Sequence, residues 1–253
     1  MLAVFCLRLG FGMLACLLLL PAIQIHPRFY RTHFLTVLGL SALAVWGAWD
    51  MGTSLGLALI GAATMLAFIA AVVWSMEGAP GGKTLIVLTC AALVAGLVLL
   101  EKAAPQSEEA APRPLLALLA GDLTSAALLG SAMSAMLMGH SYLIAPGMSM
   151  TPLLRLLGAL AMALLLRMAA DGFGLWRWTT AHSPGTLTDD VLLWLPVRWF
   201  VGFALPLVLG WMAWQTARIR STQSATGILY VVVIFCFLGE LTSQLLRDRG
   251  VTL

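Results

Sequence analysis

The sequence predicts an all-α fold, a polytopic integral membrane bundle of about eight transmembrane helices forming one domain over residues 1–253. Three observations lead there. Apolar residues make up 61% of the chain and charged ones only 10%, where soluble domains run near half and a quarter. The apolar residues gather into runs of the roughly 20 residues that cross a hydrocarbon core. The polar stretches between runs stay well short of the roughly 50 residues at which domains begin. Eight runs take about 160 residues, so no soluble catalytic domain fits, and chemistry must occur inside the bilayer, at its faces or in a partner. A net charge of +3 gives no reason to expect nucleic acid as a ligand.

The first run covers Leu2 to Gln24 and is broken only by Arg8. A cleaved leader would use Leu14 to Ala22 as its apolar segment and cleavage site, but the run is long enough to span and has no basic residue before Arg8. A basic connection with His26, Arg28, Arg31 and His33 leads to the second span, 34–49. The tight Asp50-Met51-Gly52 turn joins it to the third, 55–76. Glu77 to Thr84, rich in Gly and Pro, punctuates the chain before the fourth, 85–100. The segment 101–113 is polar, and Pro114 suits the first turn of span five, 115–144, which Pro146 stops. Span six covers 152–170 and is followed by a long connection, 171–190, with Trp176, Trp178 and His182. Spans seven and eight are 191–216 and 222–246. No internal repeat is visible.

Alternation puts both termini and the connections at 50, 101–113 and 171–190 on one face, side A. Side B has Arg28, Arg31, Lys83, Arg155, Arg218 and Arg220, six of fourteen basic residues, in very short loops with one acid, Glu77, while the other ten of eleven acids fall toward side A. This packing of cations favours side B as cytoplasmic.

Ionisable groups inside a span are costly, so they mark where function is sought. Arg8, Asp122, Arg167, Asp171, Arg198 and Glu240 all fall in one layer near side A when each is placed by helix direction. Paired carboxylates and guanidiniums there would compensate one another and could hydrogen-bond a quinone head group and carry its protons. Asp122 and Glu240, too short to snorkel, are the candidate catalytic groups, with Arg167 and Arg198 as their charge partners. Arg167 and Asp171, four residues apart near a helix end, fit a plain structural ion pair equally well. Gln244, one turn past Glu240, with Thr242 and Ser243 beside it, gives span eight a polar stripe.

Side B holds a different set. His140 lies 18 residues from Asp122, five full turns, so the two share a face of span five about 27 Å apart. Small-residue spacing at Gly121/Ser125 and Ser131/Ala135/Gly139 suits close packing and makes span five central. His26, His33 and His140 are candidate haem b ligands, but haem needs two of them facing across helices and two lie in or beside a loop, so interfacial hydrogen bonding is the preferred reading. Met133, Met136, Met138, Met148 and Met150 flank His140; soft thioethers suit Cu(I), although thirteen methionines in an apolar chain cluster by chance. Trp46, Trp49, Trp176, Trp178, Trp194 and Trp199 toward side A, and Trp74, Trp211 and Trp214 toward side B, form an aromatic belt. The four cysteines show no C-x-x-C spacing and read as small apolar residues. Gly82-Lys83-Thr84 resembles the end of a phosphate-binding loop, but Glu77 stands where its first glycine belongs and no strand precedes it.

The span count, the one-sided polar layer and Phe237-Leu238-Gly239-Glu240-Leu241 near the end of the last span together resemble the eight-helix membrane-anchor subunits of polysulfide reductase and DMSO reductase type, the last of these being similar to a Gly-Glu-Leu segment late in the DMSO reductase anchor. The resemblance implies quinol bound in this subunit, electron exchange with an iron–sulfur or haem partner subunit, and no redox cofactor held here. The functional expectation is therefore a membrane subunit of a respiratory-type electron-transfer complex in a bacterial inner membrane, binding quinone with Asp122, Glu240, Arg8, Arg167, Asp171, Arg198 and Gln244. A small-solute or metal permease needs polar groups at several depths, which spans two to four lack. A non-catalytic scaffold would use the layer as interhelical glue.

Overall fold

A computed structural model describes residues 1–21, 25–49, 53–76, 81–103, 115–145, 147–181 and 189–251. The expected features at 22–24, Asp50 to Gly52, 77–80, 104–114, Pro146 and His182 lie outside the described residues. The described chain is helical with no strand. Its elements are α1 (Leu2–Leu18), α2 (Pro27–Gly47), α3 (Ser54–Val73), α4 (Gly82–Ala103), α5 (Leu115–Ile144), α6 (Thr151–Ala181), α7 (Asp189–Trp199), a π-turn (Phe200–Ala204), α8 (Leu205–Arg218) and α9 (Thr222–Asp248). This is an integral membrane protein by its apolar helices.

Among the described residues, six helices are long and apolar enough to cross a membrane: α3, α4, α5, α6, the rod from α7 through α8, and α9. That is fewer than the eight the sequence predicts. The reasons differ for the two that fall short. Helix α1 has 17 residues, about 25 Å of rise against a core near 30 Å. Helix α2 has 21 residues but is diluted by Arg28, Arg31, Thr32, His33 and Thr36. It begins earlier than the sequence indicates because His26 caps it, accepting from the Arg28 amide at 3.2 Å, and Pro27 sits in the first turn, where a missing N–H costs nothing.

Helix α6 departs most from expectation. The connection predicted from 171 is helical as far as Ala181, because the charge of Asp171, which made that stretch read as solvent-facing, is compensated inside the bundle. Trp178 is consequently a buried helical residue donating to the Gly250 carbonyl at 3.1 Å. Helix α7 continues into α8 through a π-turn in which the Leu205 amide bonds the Phe200 carbonyl five residues back. Pro206 lacks the N–H that would reach the Gly202 carbonyl in an α-helix, which favours the wider turn.

The rods form two four-membered rings. Helices α1 to α4 pack each on the next with α4 returning to α1; α5, α6, the α7–α8 rod and α9 make the second ring. The α1–α5 interface is the seam between them, and α5 packs on α1, α6 and α9, which makes it central. At the seam the two backbones nearly touch: a Cβ on Gly12 would lie 1.8 Å from the Ala126 carbonyl oxygen, and one on Gly130 would lie 2.0 Å from the Gly12 carbonyl carbon. The first ring is apolar between its ends, with Ile60, Ala63, Ala67, Leu93 and Leu97 buried. The hydroxyls of Ser41 and Thr89 there bond their own helices, at the Leu38 and Leu85 carbonyls.

Candidate functional site

The charged residues of the layer meet in two clusters. The first is inside the second ring. Arg167 and Asp171 stand one turn apart on α6 with Nη1 and Oδ1 2.9 Å apart; the charges touch without hydrogen-bond alignment. Arg198 on α7 donates from Nε to Asp171 at 2.7 Å and from Nη2 to Glu240 Oε1 at 2.7 Å. Arg167 Nε reaches the same Glu240 oxygen at 2.9 Å, while Ser125 of α5 donates to the other at 2.5 Å. Arg167 also donates to the Ser243 hydroxyl at 3.0 Å. Two guanidiniums and two carboxylates, all fully buried, sum to zero, the condition under which such charges survive away from water.

Local structure explains how Arg198 fits. A Cβ on Gly239 would lie 2.5 Å from the Gly202 Cα and 3.0 Å from Arg198 Nη1, so two glycines let α9 approach the π-turn and leave space for the guanidinium. That guanidinium lies over the Phe203 ring, 4.2 Å from its centre, which adds a cation–π contact.

The second cluster crosses the seam. Arg8 of α1 donates to Asp122 Oδ1 of α5 from Nε at 3.0 Å and from Nη2 at 2.5 Å. The same Nη2 donates to Glu101 at the end of α4 at 2.9 Å, and Arg247 of α9 meets Glu101 at 3.2 Å. This quartet is neutral too, and Glu101, its side chain 11% exposed, is its outermost carboxylate. Arg8, Asp122, Glu101 and Arg247 thus tie α1, α4, α5 and α9 together. Chain comparisons return nothing: no protein-family model, curated protein or solved structure matches this sequence.

The pairing differs from the expected one. Arg167 and Arg198 both serve Glu240 and Asp171, whereas Asp122 belongs to Arg8. Arg167 and Asp171 do form the i,i+4 ion pair, as half of a closed quartet rather than alone. Three participants were not singled out from sequence. Glu101 directly follows an apolar run and reads as the start of a loop, yet α4 includes it. Arg247 lies seven residues past Glu240, two turns along one helix face, and that spacing could have found it. Ser125 fits the small-residue spacing of α5 by its size, and its hydroxyl is what joins the quartet.

Gln244 is in the layer and only 5% exposed, and neither its amide oxygen nor its amide nitrogen has a partner. Arg8 Nη1 and Arg198 Nη1 are likewise buried and without hydrogen-bond partners. Buried polar groups are paired in the great majority of cases, so these atoms are the layer's unmet hydrogen-bonding capacity, as Tyr30 Oη and Trp74 Nε1 are elsewhere.

The histidines are not brought together as a pair. His26 is an exposed cap, and His140 is exposed at the end of α5. The shared face of α5 is buried at Ala126, Leu129 and Met136 but opens at its side B end, so His140 does not mirror Asp122. His33 is fully buried, with Nδ1 3.0 Å from the Phe29 carbonyl and Nε2 3.1 Å from the Ser134 hydroxyl. Both ring nitrogens are occupied, which suits a link between α2 and α5 and leaves neither free to ligate. Among the described residues no group of three or more His, Cys, Asp or Glu side chains is arranged for a metal ion. His33→Leu is expected to lower stability by about 1–3 kcal/mol by stranding buried polar groups, and Ser134→Ala by less; chemical unfolding in detergent reads both.

All four cysteines are buried and free. Met136 and Met138 are core residues. The tryptophans divide: Trp46, Trp49, Trp176 and Trp211 are largely exposed, as a belt requires, while Trp74 is buried and stacks on Tyr30 with ring centres 4.1 Å apart.

Proposed function

We propose that this chain is the membrane subunit of a respiratory-type electron-transfer complex that binds a quinone or quinol head group beside the charge layer. In this reading α1 and α2 complete eight crossings of a bacterial cytoplasmic membrane, with side B facing the cytoplasm. The observation that carries it is the buried, unpartnered amide of Gln244, set one turn from Glu240 and close in sequence to Arg247. An amide both donates and accepts. It can therefore bond the carbonyl of a quinone and the hydroxyl of a quinol, and an unmet buried amide costs about 1–3 kcal/mol that such a ligand relieves.

The geometry separates the two candidate carboxylates. Glu240 is clamped by two arginines and a serine and acts as a fixed counter-charge. Asp122 receives both Arg8 bonds on one oxygen, leaving its other oxygen for a proton, and Arg8 also contacts Glu101, which leads outward toward side A. Quinol oxidation releases two protons and two electrons. Asp122 with Glu101 serves the protons, and the electrons pass to a cofactor-bearing iron–sulfur or haem subunit.

The test is native purification with partner subunits, followed by quinone extraction and quinol turnover. Asp122→Asn is expected to lower turnover per assembled complex about a hundredfold or more, the usual contribution of a placed acid–base group, with a smaller loss of stability than at Glu240 because Arg8 keeps Glu101 and the quartet's remaining members, Glu101 and Arg247, are partly exposed. Gln244→Leu is expected to weaken quinone retention about tenfold, the worth of one such hydrogen bond. Wild-type turnover and quinone content in both variants would overturn the proposal and leave the quartets as interhelical glue in a scaffold subunit, the reading their neutrality otherwise favours.

A further inference from the structure

A lateral groove of about 530 Å³ runs between α6, α5 and the end of α1, lined by Leu19, Ala127, Arg155, Ala159, Met162, Ala163 and Leu166. Its volume is in the range of small-ligand sites. Arg155, Ala159, Met162, Ala163 and Leu166 form one stripe of α6 at helical spacing, and 11 residues separate its ends, about 16 Å along the axis. Alanines Ala127, Ala159 and Ala163 make the floor; Leu19, Met162 and Leu166, each half or more exposed, make the walls. The groove runs from the side B end of α6 to the depth of the charge layer but faces away from the quartets, since Arg167 points inward from the position after Leu166.

Arg155 closes the side B end. It is exposed, and it has no hydrogen-bond or ion-pair partner among the described residues. The ionised groups of the side A layer are matched with opposite charge from the chain itself, whereas this side B cation, like Arg218 and Arg220, is not. An apolar slot opening to the hydrocarbon and ending on an unmatched guanidinium at the level of the headgroups has the polarity of one anionic phospholipid.

We propose that the α1–α5–α6 groove is a binding site for an anionic phospholipid, with one acyl chain along Ala159, Ala163 and Leu166 and the phosphate against Arg155. A guanidinium pairs bidentately with a phosphate, and one basic residue near an anionic surface is worth about a fivefold preference. The site is independent of the quinone reading, since it shares no residue with the charge layer.

The experiment is native mass spectrometry of the full chain in detergent with equal phosphatidylglycerol and phosphatidylcholine. The wild type is expected to retain phosphatidylglycerol about fivefold over phosphatidylcholine. Arg155→Glu should abolish the preference, Arg155→Lys should keep most of it, and Ala159→Leu should lower retention of both lipids by filling the floor. Arg155 is on the surface, so its variants fold. Unchanged selectivity in Arg155→Glu, unchanged retention in Ala159→Leu, or a prenyl quinone held there in place of phospholipid would each overturn the assignment.

Discussion

Glu240→Gln is expected to destabilise the bundle by about 3–5 kcal/mol, the cost of removing one partner from a buried ion pair. Glu240 is the hub of the inner quartet, contacting Arg167 at 2.9 Å, Arg198 at 2.7 Å and Ser125 at 2.5 Å. An amide keeps the shape and loses the charge, so two guanidiniums would share Asp171 alone and a full positive charge would be stranded among α6, α7 and α9. Thermal unfolding of the purified protein should show a midpoint lower by roughly 10 °C, taking about 2–4 °C per kcal/mol for a chain of this size. Glu240→Gln combined with Arg198→Met restores neutrality and should recover a large part of the loss, because a buried pair can often be replaced by apolar residues at little cost. Ser125→Ala should cost only about 1 kcal/mol. A midpoint for Glu240→Gln equal to that of the wild type would show that the quartet does not hold the second ring together.

Gly12→Ala is expected to be comparably severe, although it adds a single methyl group. The new Cβ would meet the Ala126 carbonyl oxygen at 1.8 Å, and neither partner is a side chain that can rotate away. Helices α1 and α5 must separate, at a cost of about 3 kcal/mol, the upper end for overpacking. The same movement acts on the ion pair above it. Arg8 is one turn from Gly12 on α1, and Asp122 one turn from Ala126 on α5, so the glycine crossing sets the distance over which Arg8 reaches Asp122. Gly130→Ala should behave alike from the other side of the seam. Gly39→Ala and Gly61→Ala are the controls: nothing lies within 4 Å of a Cβ at either position, so both should be neutral or stabilise by up to about 1 kcal/mol through helix propensity. Equal unfolding midpoints for Gly12→Ala and Gly61→Ala would show that the seam is not closely packed in solution.

The sequence places a span at 115–144 and α5 occupies Leu115–Ile144, because a long apolar run bounded by a polar stretch and a proline-containing turn leaves little choice of boundary. The sequence ends the sixth span at 170, whereas α6 continues to Ala181, because Asp171 reads as solvent-facing in sequence but is neutralised by Arg198, 27 residues away. The small-residue stripes on α5 correctly marked it as the packing centre. Yet the closest approaches set Gly12 against Ala126 and Gly130, pairings that α5's own spacing does not name.

The same division holds for the candidate site. A charge inside an apolar run is conspicuous in any sequence, since hydrocarbon makes it expensive; Arg8, Asp122, Arg167, Asp171, Arg198 and Glu240 could be found and assigned a common depth from helix direction alone. Depth is a one-dimensional quantity, set by residue count and rise. Partnership is not, because it depends on how each helix is rotated about its axis and where it crosses its neighbours, which residues on other helices decide. Composition and run length therefore determined that the chain is a helical membrane protein with a charged layer near one face. Only the tertiary structure decided that the layer is two neutral quartets, that Glu101 and Arg247 complete the one across the seam, and that Gln244 is left with its amide unmet.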